Sequence, residues 1–170
     1  MKQSDRIRRA AILCCHCSRN AAYYLAGAEC KANWAGEDFW SNTYSNFIDM
    51  AVIEWCKLFA DEKGKHHWRK TVSDPSIFMV GLLGKLNISQ SEFDAYIDKC
   101  KLYRDKFLAH LDEEARMHIP YLKLAIESTT FLFNLLKAEN PQLLSDAPKE
   151  MASFHAERIS YAKSQYPSGT

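Results

Sequence analysis

Glycine and proline are scarce in this 170-residue chain, six and five residues respectively, against an average combined usage of about 12%. An all-β sandwich or a glycine-looped nucleotide fold needs more turn chemistry than that. The composition therefore points to helices. An excess of one charge is missing too: 22 Lys+Arg face 21 Asp+Glu, for a formal net charge of +1. That balance argues against holding long nucleic acid by a chain-wide positive field, and leaves local patches open. Long apolar runs are also absent. The longest, residues 77–84, falls far short of the roughly 20 residues of a membrane span. The basic start MKQSDRIRRAAILCCHC leads into an apolar run too short for a signal-peptide core and lacks a small-residue cleavage site. A cytoplasmic protein with no membrane partner is expected. At 47% hydrophobic and 25% charged, a chain of this length buries roughly 70% of its unfolded surface, which excludes a disordered or fibrous protein.

The six cysteines, Cys14, Cys15, Cys17, Cys30, Cys56 and Cys100, read as reduced, buried small hydrophobes in a chain with no secretory signal. Cys14, Cys15, His16 and Cys17 form the one metal-like cluster. Adjacent helical positions diverge, and no second ligand pair completes a tetrahedral site. No metal and no cofactor are expected.

No repeat or low-complexity block appears, and the pattern is helical nearly throughout. Helices are predicted over residues 4–33, 37–61, 76–86, 89–114, 119–137 and 148–165. Pro75 suits the first position of the third, and Ser89 with Glu92 forms a capping box that opens the fourth. The fold class read from this is all-α, an up-and-down bundle of four to six helices. Residues 1–138 form the bundle, and residues 139–170 form an amphipathic helix and tail packed on it.

The 89–114 helix carries the chemistry. At about 100° per residue, Phe93, Ile97, Cys100, Phe107 and Leu111 fall on one side and define the expected core stripe. Arg104 falls in its middle. A guanidinium keeps its charge in a protein, so an apolar setting demands a carboxylate, a partner chain or a ligand phosphate. Glu54 of the second helix is one candidate carboxylate. Next to the stripe, Tyr96, Lys99, Tyr103, Lys106 and His110 form one ridge at three-four spacing. Rings that stack on bases, ammonium groups that meet phosphates and an imidazole that moves protons suit an RNA strand. The same ridge also fits a core border of packed Tyr rings and extended Lys stems. Arg104 and His110 lie about 120° apart on a straight helix, so a shared pocket needs a bend between them or a second copy across a two-fold axis.

Residues 103–112, YRDKFLAHLD, resemble the signature of the HEPN superfamily, an Arg and a polar residue followed a few positions later by His. Here these are Arg104, Asp105 and His110, and the flanking residues look most like the AbiU-type branch associated with abortive infection. The resemblance implies a metal-independent endoribonuclease in phage defence or a toxin-antitoxin system. It also implies a homodimer whose paired motifs line a cleft, with RNA as substrate and an antitoxin protein as a further partner. His110 would transfer a proton, Arg104 would stabilise phosphate charge, Asp105 would orient, and Tyr103, Lys106, Lys99 and Tyr96 would contact substrate. Other members have lost activity, so a catalytically inactive, HEPN-like dimeric binding or scaffolding module is the alternative.

Remaining candidates carry less. His66, His67, Trp68 and Arg69 read as a solvated loop. His118 and His155 have no partner in the pattern, and residues 81–85 lack the spacing of a phosphate loop.

Overall fold

Small residues recur along the first helix and decide how closely its neighbours approach. In the computed structural model, which describes residues 1–105 and 118–167, α1 (Gln3–Glu29) buries Ala10, Ala11, Cys14, Cys17, Ala21, Ala22 and Ala26. With so little side chain between backbones, α3 (Asp38–Phe59), α6 (Leu122–Glu139) and α7 (Met151–Gln165) all pack against it. A short α2 (Lys31–Trp34), α4 (Pro75–Leu86), α5 (Gln90–Tyr103) and one 3-10 turn (Trp68–Lys70) complete the architecture. Every regular element among the described residues is helical.

Trp55 organises the core. Its ring stacks on Phe59 at 5.1 Å between centroids and meets Tyr96 and Phe93 of α5 edge-on at 5.0 and 6.2 Å. Its indole N–H donates to Ser128 Oγ on α6 at 2.9 Å, so the one polar atom of the ring is satisfied where water is excluded. One side chain thereby ties α3 to both α5 and α6.

Several boundaries follow the local signals. Asp74 accepts from the N–H groups of Ser76 and Ile77 at 2.8 and 3.0 Å, with Pro75 at the start of α4. Ser89 and Glu92 satisfy each other's backbone donors at the start of α5. Others differ from expectation. The first helix breaks at Cys30 instead of reaching residue 33, because the Trp34 indole folds back to donate to Gly27 O at 2.9 Å and supplies a partner to an end-of-helix carbonyl. Helix α6 begins at Leu122, not 119, since Pro120 turns the preceding residue away from helical geometry. Helix α7 begins at Met151, not 148; before it, Lys137 Nζ holds Leu144 O and Ala147 O at 3.2 and 2.9 Å and shapes the turn.

The loop after α3 is corrected more fully. His67 and Trp68 are buried rather than solvated. Trp68 stacks on Phe78 of α4 at 4.7 Å, and His67 Nε2 lies 3.2 Å from Phe59 O. A loop that carries an indole beside an apolar helix gains more by covering that helix than by staying in water. Among the described residues, no helix is long and apolar enough to cross a membrane.

Candidate active site

The side of α5 that meets the core decides where each candidate residue points. Phe93, Tyr96, Cys100 and Tyr103 are buried, whereas Ile97 is half-buried. Relative to the expected stripe, the core face is rotated toward the tyrosines. Aromatic size explains the rotation: Tyr96 fills space against Trp55 and donates its hydroxyl to Tyr121 O at 3.0 Å. Tyr103, 1% exposed, donates to Asp49 Oδ1 on α3 at 2.6 Å. Burial pushes both phenols well above the ordinary tyrosine value, aided at Tyr103 by the Asp49 carboxylate.

Rings committed in this way are not free platforms. Tyr96 and Tyr103 thus take the core-border arrangement, with both rings buried and both hydroxyls bonded. Both still floor a cleft of about 650 Å³ that Lys99 and Leu102 line from α5, with His118 and Tyr121 also in its lining. Lys99 is exposed there. Arg104 does not line this cleft, which Tyr96, Lys99 and Tyr103 share.

Turned off the core axis, Arg104 keeps its side chain 26% exposed. The helix widens into a π-type turn at Arg104 and Asp105. Arg104 Nη1 donates to Asp61 Oδ1 at 2.6 Å and Nε donates to Asp105 Oδ1 at 2.8 Å. The Asp61 N–H donates back to Cys56 O at 2.9 Å, which fixes the turn that presents its carboxylate. Bonding to Asp105, and then to Asp61, raises the guanidinium pKa against the opposing effect of desolvation. Beneath this group, burial pushes the Cys56 thiol up to about 12, with Arg104 acting in the other direction.

Glu54 is not the partner of Arg104. It is buried 3.4 Å from Lys57, one turn along α3, and its charge bears on Cys17 of α1. Asp61 takes the role instead, and no spacing rule connects it to an arginine 43 positions later. Its one signal is a carboxylate just past the end of a helix. Lys106 and His110 lie outside the described residues.

All six cysteines are free thiols. Among the described residues no cluster of His, Cys, Asp or Glu is arranged to hold a metal ion. His155, with no partner evident in the pattern, places Nδ1 3.1 Å from Ser18 Oγ and 3.0 Å from Ser18 O, joining α7 to α1. Comparison with protein-family models, curated proteins and solved structures finds no match for this chain.

Proposed function

We propose that this chain is a metal-independent, HEPN-type endoribonuclease of phage defence or toxin-antitoxin biology, built as a homodimer on an up-and-down helical bundle. The observation that carries the reading is the setting of Arg104. It sits one position past Tyr103, which ends α5, partly exposed, with two of its three nitrogens held by carboxylates. Among the described residues Nη2 makes no hydrogen bond. A guanidinium fixed in this way offers a preorganised donor to a phosphate oxygen, and preorganisation is what makes such a donor catalytic.

The reaction balances without an added reagent. The ribose 2′-OH loses its proton to an imidazole and its oxygen bonds to phosphorus. The bond from phosphorus to the 5′-oxygen breaks, and the leaving oxygen takes a proton. The products are a 2′,3′-cyclic phosphate and a 5′-hydroxyl. His110 supplies one proton transfer, its counterpart in the second copy supplies the other, and Arg104 meets the charge that builds on phosphorus. Lys99 and Lys106 contribute phosphate contacts, and Asp105 acts as a positioning residue through Arg104.

A second reading is favoured by one observation. Arg104, Asp61 and Asp105 together carry a formal charge of −1, and the guanidinium finds its carboxylates within one chain. That suits a catalytically inactive binding module as well as an enzyme. Incubating purified protein with RNA in EDTA separates the two: the ribonuclease yields cyclic-phosphate ends that disappear in Arg104→Ala and His110→Ala, whereas the binding module yields no cleavage.

A further inference from the structure

Two segments that local pattern leaves unconnected, the basic start of α1 and the histidine loop after α3, meet in the fold. Gln3 Nε2 donates to Lys70 O at 3.0 Å and ties the first turn of α1 to the end of that loop. Arg6 and Arg9 follow Gln3 at three-residue steps and continue the same side of α1. His66 is where the segments converge: the charges of Arg9 on α1, Lys57 and Glu54 on α3, and Lys65 all bear on its ring. Glu54 is 5% exposed, with Oε2 3.4 Å from Lys57 Nζ. Three polar atoms of this set, Arg6 Nε, Glu54 Oε2 and His66 Nε2, are buried with no hydrogen bond among the described residues. A buried polar atom left unpaired costs free energy, so each calls for a water or an ion as partner. Lys57 has Glu54, whereas Arg6, Arg9 and Lys65 make no ion pair among the described residues. Positive charge is thus in excess where three elements meet.

We propose that Arg6, Arg9, Lys57, Lys65 and His66 form a binding site for a phosphate monoester dianion, free or at the end of a nucleotide. A tetrahedral dianion presents acceptor oxygens in several directions and takes donors from α1, α3 and the loop together, whereas a carboxylate offers two oxygens in one plane. The guanidinium groups supply forked N–H donors and the ammonium groups single ones. Burial holds His66 below the ordinary histidine pKa, helped by Arg9, Lys57 and Lys65 and opposed by Glu54. Near neutral pH its ring is therefore uncharged and has one N–H to give. Glu54 has a separate part: it holds Lys57 and offsets one cation, which leaves the remaining positive charge for the ligand. Arg104 takes its carboxylates from Asp61 and Asp105 and belongs to another set, so this site is separate from the candidate active site.

NMR of the histidine rings of the full chain, titrated with inorganic phosphate against sodium chloride at equal ionic strength, tests the proposal; His66→Gln assigns the ring signal. The expected result is a saturable shift of the His66 resonances in the millimolar range. The His66 pKa rises with it, because a bound anion favours the protonated ring. Arg9→Gln and Lys65→Gln, at exposed positions, keep the circular dichroism spectrum and each weaken binding about tenfold. Glu54→Gln removes the carboxylate that opposes the anion and tightens binding about threefold or more, an effect a merely structural cluster would not give. A second titration with a nucleoside 5′-monophosphate separates the two sources: tighter binding than inorganic phosphate assigns the site to a nucleotide, and no tighter binding assigns it to the free anion. A His66 signal that phosphate moves no further than sodium chloride does overturns the proposal. So does undiminished binding in both Arg9→Gln and Lys65→Gln, or a folded Glu54→Gln chain that binds more weakly. None of these readouts involves RNA cleavage, so the fate of this site and that of the ribonuclease reading are decided separately.

Discussion

Arg104 Nη1 lies 2.6 Å from Asp61 Oδ1, and that bond joins the end of α5 to the turn just past α3. The neighbouring Tyr103 reaches Asp49, in the middle of α3, at the same distance. Two consecutive residues thus tie the end of α5 to carboxylates twelve positions apart in the chain.

Asp61→Asn separates holding the fold from holding the guanidinium. Both side chains are part-exposed, 26% and 38%, and ion pairs in that setting contribute less than about 1 kcal/mol. Urea denaturation should therefore show a loss within that range. RNA cleavage should fall by about ten- to a hundredfold, because a displaced catalytic donor costs far more in rate than in stability. A variant that cleaves like wild type removes Asp61 from the positioning role.

The Trp55–Ser128 bond should matter more to folding. Ser128→Ala leaves the buried indole N–H without its acceptor and should cost about 1–3 kcal/mol, while Trp55→Ala, which empties the space between α3, α5 and α6, should cost about 3–5 kcal/mol. Denaturant midpoints measure both. A smaller loss for Trp55→Ala than for Ser128→Ala would contradict the placement of this ring at the centre of the core.

Burial holds His67 and His155 below the ordinary histidine pKa, against the opposing pull of the carbonyls of Phe59 and Ser18. The unfolded chain takes up protons at these residues first, so the stability they confer is complete above about pH 6.5 and is lost as pH falls toward their native values. Unfolding midpoints should therefore drop between about pH 7.5 and about pH 5.5. His155→Gln, which keeps a polar group near Ser18 but does not titrate, should reduce that drop. An identical drop in the variant assigns the effect to other groups.

Much of this architecture is legible in local pattern. The capping box at Ser89 and Glu92 and Pro75 at the start of α4 are short-range features, and each acts where the chain shows it. Residues whose fate depends on distant contacts read less well. A 100° count places Arg104 mid-stripe, but Tyr96 and Tyr103 find Trp55 and Asp49 across the fold and rotate the helix toward themselves. Pairing of Arg104 with Asp61, and burial of Trp68 against Phe78, are likewise tertiary outcomes that no local spacing encodes.

The cysteines offer an independent check on packing. Cys14, Cys17, Cys56 and Cys100 are buried, and burial drives their thiols upward, to about 12 at Cys17 and Cys56. Cys30, partly buried at the break after α1, should react before the four buried thiols with a thiol reagent in the native protein. The four buried thiols should react only on unfolding, as mass spectrometry of labelled peptides can show. Early labelling of Cys56 or Cys100 would contradict the packing of α5 on α3.

Arg104 and His110 acting together on RNA are the core of the proposed function. The most direct measurement is the rate of RNA cleavage in EDTA by wild type, Arg104→Ala and His110→Ala, with the new ends identified. The account predicts 2′,3′-cyclic phosphate ends from wild type and a loss of about a hundred- to a thousandfold in each variant. Cleavage at the wild-type rate by both variants, or no cleavage by the wild-type chain, would contradict it.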